Sequence, residues 1–267
     1  MDSVLLFRAF LVGVFCYLGA IETPWLLGMT GGFYLVGRPL IAGFITGLIF
    51  GDVQTGILCG LSVQAVFIAN LSTGGGTNSE ITYAGYGGIG IAMATTKDPA
   101  LAVTLSVLVG QTFGLIFYNF RMAVYSYWNR RCDNAAKDGD YKGVLMNHIV
   151  FPQITTFLLR AIPIMILIIS GEKFVNVLVA KMPEMVLHII SVLGGVLPAL
   201  GIGMLMTIII KEVPHIIFFL AGFVIIAFIK INMIGLVFIA MLISYLVFLS
   251  LGKEQVVNIE EEDEVIF

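Results

Sequence analysis

The stretch from Arg38 to Gly90, RPLIAGFITGLIFGDVQTGILCGLSVQAVFIANLSTGGGTNSEITYAGYGGIG, limits what this chain can fold into more than any other part. It is apolar enough to lie in lipid, yet it is repeatedly broken. Gly51-Asp52 interrupts one apolar run, Gln64 sits inside the next, and Ser72 to Glu80 is a run of nine residues without an apolar side chain. Hydrocarbon offers backbone groups no water, so irregular backbone survives there only where protein or a wet cavity covers it. A polar, Gly-rich break between hydrophobic half-segments is also a pointer to a substrate site near the membrane midplane.

Composition agrees with a membrane solvent. Of 267 residues, 59% are hydrophobic and 12% charged, whereas soluble domains carry about 25% charged residues. The fold expected is an all-α polytopic membrane protein whose transmembrane helices include discontinuous or re-entrant Gly-rich segments. A net charge of −3 gives no reason to expect a nucleic-acid partner. Cys16, Cys59 and Cys132 are far apart, as are His148, His188 and His215, so no metal site is expected, and Cys16 and Cys59, in apolar runs, read as small packing residues. No phosphate-cradling GxxxxGK[ST] occurs, which argues against an ATP-driven pump. No cofactor is expected.

Taken in order, Leu5 to Ile21 reads as a retained membrane segment rather than a cleaved signal, with Glu22-Thr23-Pro24 breaking it. Glu22 reads equally as a solvated loop residue or as a polar group facing a transport path. Residues 40–50 and 56–71 are both short for a crossing and read as a tilted span plus half-helix, or as a re-entrant hairpin. Gly43, Gly47 and Gly51 repeat every four residues, as do Gly56 and Gly60, a spacing that lets helices approach closely. Ala84 to Ala94 is too short to span alone, and Pro99 to Phe120 is a full span carrying Gln111. Residues 121–142 hold five basic side chains and read as a cytoplasmic loop by the positive-inside rule. Ile149 to Ser170 is a span with Arg160 inside it, residues 171–183 read as an external loop, and Gly194 to Gly203 reads as a second Gly/Pro break. Ile216 to Ile229 and Ile231 to Leu251 are apolar. Residues 1–252 therefore form one membrane domain, and 253–267 an acidic tail expected to be disordered.

The segment Arg38 to Ile68 resembles the HRPL and VGLxLGDxxTGIxxGxxLEL pattern of the IIC component of the mannose–fructose–sorbose family of the bacterial sugar phosphotransferase system. GGIGIAMATTKDPALAV (Gly87 to Val103), LPALGIGMLM and FFLAGF (between Leu197 and Phe223) extend the resemblance over nearly the whole chain. Gly37 stands where the family has His, and Gln64 where it has Glu. The resemblance implies a multi-pass subunit of the bacterial inner membrane that binds and translocates a hexose or related sugar. It implies a membrane partner, IID, soluble IIA and IIB phosphocarriers, and a higher oligomer of IIC–IID pairs. It also implies a subunit that is not catalytic by itself. A stand-alone ion-coupled secondary transporter, and a structural partner of IID without a sugar site, are the alternatives.

Sugar hydroxyls both donate and accept, and amides and carboxylates answer them with paired contacts. The candidate sugar-binding residues are Gln64, Asn78, Glu80, Asp52, Ser72 and Thr73. Gln64, inside an apolar run, is the foremost. Asp52 also reads as a helix cap, Asn78 and Glu80 as wet loop, Ser72 and Thr73 as hydroxyls satisfying nearby backbone, and Gln111 as interhelical glue.

Overall fold

The computed structural model describes residues 3–68, 79–181, 184–210 and 215–264, and every described element is helical. In order these are α1 (Ser3–Leu18), α2 (Met29–Val36, a π-helical segment), α3 (Pro39–Phe50), α4 (Val53–Val66), α5 (81–94), α6 (Pro99–Lys137), α7 (141–181), α8 (Glu184–Ile209), α9 (Ile216–Ile229) and α10 (Met233–Glu264). Two compact units are present, Met1–Met206 and Thr207–Phe267. Ser72, Thr73 and Asn78 lie outside the described residues.

Among the described residues, α6 and the Tyr141–Gly171 part of α7 are long and apolar enough to cross a membrane. The α2–α3 pair reaches that length only as a bent span, with an angle of 74°. The bend has a local cause. Arg38 is extended, as a residue before proline must be, and Pro39 opens α3, where its missing N–H costs nothing. Gly51, left-handed at φ 79°, ends α3, and Asp52 then caps α4 by accepting from the Thr55 N–H at 3.2 Å. The two helices form a hairpin that closes on glycine. A Cβ on Gly43 would sit 2.3 Å from the Gly56 carbonyl oxygen and 2.6 Å from the Gly60 Cα. The four-residue glycine spacing is thus a packing seam.

Helix α5 is the centre of the first unit. Every residue from Ser79 to Met93 is buried. Tyr83, Tyr86 and Ile91 join Val12 and Cys16 of α1, Leu105 of α6, and Ile164 and Ile168 of α7 in one core. An element so short needs neighbours on every side, and its small residues admit them. A Cβ on Gly88 would fall 2.3 Å from the Ser106 Cα of α6. The π-helical turn 84–88 of α5 faces another at 109–113 of α6. There a Cβ on Gly110 would approach the Ala84 Cβ at 2.8 Å.

Three stretches expected as loops or breaks are largely helical. The 121–142 loop is instead the end of α6, a turn at 138–140 and the start of α7. No glycine or proline occurs in α6 after Gly114, and α7 pairs with its end: Tyr125 bonds Thr156, and Trp128 stacks on Phe151 at 4.8 Å. With 39 residues at ~1.5 Å each, α6 is ~58 Å long, about twice the hydrocarbon thickness. The expected external loop 171–183 is helical as far as Lys181, and Gly171 lies against Ile91. The expected Gly/Pro break at 194–203 lies within α8, which runs through Pro198. Its Gly201 packs on the backbone of Ala65 and Val66 at the end of α4.

In the second unit α9 and α10 are joined through Lys230, which takes a left-handed conformation at φ 56°. Most described side chains from His215 to Leu249 are exposed, as befits helices that lipid or another subunit covers.

Candidate functional site

Four segments of the first unit bring their charges to one buried place. Glu22 lies on the loop after α1, Glu80 at the start of α5, Arg121 in the middle of α6 and Arg160 in the middle of α7. Arg160 donates to the Glu80 carboxylate and lies 3.5 Å from Glu22, and Arg121 pairs with Glu22. The side chains of Arg160, Arg121 and Glu80 are 2%, 5% and 7% exposed, and that of Glu22 15%. Charged groups within a membrane protein are costly unless they meet each other. Two carboxylates and two guanidiniums balance.

The surroundings hold each member in place. Glu80 caps α5 by accepting from the Thr82 N–H at 3.0 Å, and its own N–H donates to the Gly110 carbonyl at 3.1 Å. The Tyr83 ring lies 5.2 Å from the Arg160 guanidinium and the Tyr118 ring 4.7 Å from that of Arg121, in cation–π range. A hydrogen-bonded chain leads outward from Glu22. Gln153 donates to the Glu22 carbonyl at 2.8 Å, the Tyr17 hydroxyl donates to Gln153 at 3.0 Å, and the half-exposed Trp25 donates to that hydroxyl at 2.6 Å.

Glu80 therefore lies in the cluster, capped and ion-paired rather than on a wet loop. Glu22 is not a solvated loop carboxylate, and Arg121 is not in a cytoplasmic loop. Gln64 is on α4 near its end, half-buried, and its side-chain oxygen is buried without a hydrogen-bond partner among the described residues. Asp52 caps the opposite end of that helix and pairs with Lys97 at 3.0 Å in an exposed setting. Twelve residues of α4 separate it from Gln64, ~18 Å along the axis, too far for one hexose to touch both. Gln111 faces outward. Arg121 and Arg160 escaped the reading of sequence as site residues. The signal for Arg160 was present: a guanidinium deep within an apolar run demands a named partner.

Residues 6–246 match the family described as the PTS system sorbose-specific IIC component. N-acetylgalactosamine permease IIC component 1 of Escherichia coli (strain K12) is 28% identical over 204 residues, covering 73% of this chain and 72% of that protein. The fructose permease IIC component of Bacillus subtilis (strain 168) is 24% identical over 200 residues, with 74% and 72% covered. The mannose-specific EIIC component of E. coli (strain K12) is 26% identical over 212 residues, with 74% of each chain covered. A solved structure described as a membrane protein superposes with a TM-score of 0.75 at 20% identity, covering 93% of this chain and 96% of that one. The cryo-EM structure of the mannose transporter ManYZ with microcin E492 gives 0.56 at 20% identity over the same shares. These two carry the fold: a helical transmembrane protein. The chain belongs to the sorbose-specific IIC component family of the phosphotransferase system, a family of multi-pass membrane sugar permeases.

Proposed function

We propose that this chain binds a hexose or related sugar in the bacterial cytoplasmic membrane and translocates it together with a IID membrane subunit. Soluble IIA and IIB carriers then phosphorylate the sugar on its way in. The chain itself supplies the path and the contacts, not the phosphoryl chemistry. The observation that carries this reading is the Gln64 side-chain oxygen, buried and unpartnered among the described residues, on a 14-residue helix too short to cross a membrane. A buried acceptor left unmade is costly, and a sugar hydroxyl is the donor that such a site awaits. Glu80 is the second proposed contact. Asp52 has its use as a cap and ion pair. Asn78, Ser72 and Thr73 remain proposed contacts on the polar stretch between the two. The relatives are named for N-acetylgalactosamine, fructose, mannose and sorbose, which makes these four the panel to test.

The test is reconstitution. Vesicles holding the chain and its IID subunit, supplied with IIA, IIB and a phosphoryl donor, should accumulate one panel sugar as its phosphate ester. Omitting IID or either carrier should abolish this. Accumulation of unmodified sugar by the chain alone, driven by an ion gradient, would contradict the proposal.

A further inference from the structure

The charge cluster has a property that bracing alone leaves unexplained. It is balanced in charge yet incompletely hydrogen-bonded. Among the described residues, Arg160 Nε and Nη1, Arg121 Nε and Glu22 Oε1 are buried with no hydrogen-bond partner. Buried donors are rarely left so, and each such exception calls for a cause. Whatever completes the cluster must both accept from the guanidiniums and donate to a carboxylate. It must also be uncharged, since a further anion would lie against Glu22 and Glu80, and a further cation against both guanidiniums. A hydroxyl meets both conditions, because its oxygen accepts from a guanidinium while its hydrogen donates to a carboxylate. Several hydroxyls on one ring meet them several times over. Glu22, the most accessible member, opens the cluster toward the loop that carries half-exposed Trp25.

We infer that Glu22, Glu80, Arg121 and Arg160 form a subsite for the hydroxyl face of an uncharged sugar. Arg160 is its specificity-determining donor, and the subsite rejects the phosphorylated sugar. This rests on the chain being a sugar permease subunit, and it adds Glu22, Arg121 and Arg160 to the proposed contacts. The charge balance carries the discrimination. A phosphate ester holds about −1.5 to −2 charges at neutral pH, and the two carboxylates oppose it. The same four groups that admit the sugar thereby disfavour rebinding of its product. In this structure the subsite is closed, so the sugar enters in a conformation that parts the Glu22 loop from α6 and α7.

The experiment measures equilibrium binding of each panel sugar and its phosphate ester to the purified complex of this chain with IID. Wild type should bind its sugar at least about a hundredfold tighter than the ester, a gap of ~2.7 kcal/mol. Arg160→Lys keeps a positive charge facing Glu80 but loses the two unpaired donors. It should assemble with an unchanged melting midpoint and bind sugar roughly tenfold or more weakly. Glu22→Gln removes one opposing charge and should narrow the gap between sugar and ester. Sugar binding unaltered in an assembled Arg160→Lys complex would overturn the inference, as would equal affinity of wild type for sugar and ester. If Arg160→Lys does not assemble, Glu22→Gln decides, and a gap left unchanged overturns the subsite. Should wild type bind no panel sugar, the permease reading itself fails and takes the inference with it.

Discussion

Arg160 and Glu80, eighty residues apart in sequence, meet as a buried ion pair where α5 begins. The contact ties the start of the most buried helix in the first unit to the middle of α7. Through Glu22 the same guanidinium reaches the loop after α1, and through Glu22 again Arg121 ties in α6. One cluster thus fixes the mutual placement of four segments around α5.

Breaking this pair from one side should therefore be worse than removing it. Arg160→Met leaves the Glu80 carboxylate buried without its main partner and is expected to lower stability by ~3–5 kcal/mol. The double variant Arg160→Met with Glu80→Gln should recover much of that loss. Chemical unfolding of the detergent-solubilised complex, followed by tryptophan fluorescence, checks both. Equal stability of the single and double variants would show that the two groups do not act as a pair.

The glycines of the core make a second test. Gly88→Ala places a Cβ 2.2 Å from the Ser106 Oγ and 2.3 Å from its Cα. It should cost on the order of 1–3 kcal/mol through overpacking. Gly203→Ala, where a Cβ meets nothing within 4 Å, should be neutral or stabilise by up to ~1 kcal/mol through helix propensity. Melting midpoints of the two variants, measured side by side, should move in opposite directions or differ by several degrees. A matching loss in both would mean that α5 does not pack as closely on α6 as described.

These glycines also show what could and could not be read in advance. The bend at Arg38-Pro39 and the stop at Gly51-Asp52 are written locally, in a proline that opens a helix and a left-handed glycine that ends one. The α3–α4 seam is written in the spacing of Gly43, Gly47, Gly56 and Gly60. Gly171 and Gly201 carry no such local mark. Each lies inside a continuous helix because another element, at Ile91 or at Ala65, presses against it. A contact glycine and a breaking glycine look alike until the neighbour is known. The same holds for the cluster. In sequence Glu22 reads as a loop or path residue, Glu80 as a candidate contact or wet loop, Arg121 as a loop base and Arg160 as a base inside a span, and only the fold brings them together. Gln64 could be singled out because a lone amide in an apolar run is conspicuous without any partner; its place in a sugar site is a proposal.

The hairpin formed by the end of α6 and the start of α7 gives a prediction of sidedness. Arg130, Arg131, Lys137 and Lys142 lie on it, and positively charged flanks stay in the cytoplasm. In a Cys132→Ser background, Asn134→Cys lies on an exposed stretch of α6. It should resist a membrane-impermeant thiol reagent added to intact cells and react once the cells are opened. Ready labelling from outside would invert the topology.

If the membrane domain itself holds the sugar, substitutions at Gln64 must change how tightly it is held. Sugar binding to the purified complex with IID should be compared for wild type, Gln64→Leu and Gln64→Glu. Gln64→Leu keeps similar size but removes the acceptor. Its dissociation constant should rise about ten- to a hundredfold, the equivalent of ~1–3 kcal/mol for a buried hydrogen bond left unmade. Gln64→Glu keeps an acceptor and should stay closer to wild type. Unchanged affinity in a folded Gln64→Leu complex would remove Gln64 from the sugar site and leave the membrane domain without its proposed sugar acceptor.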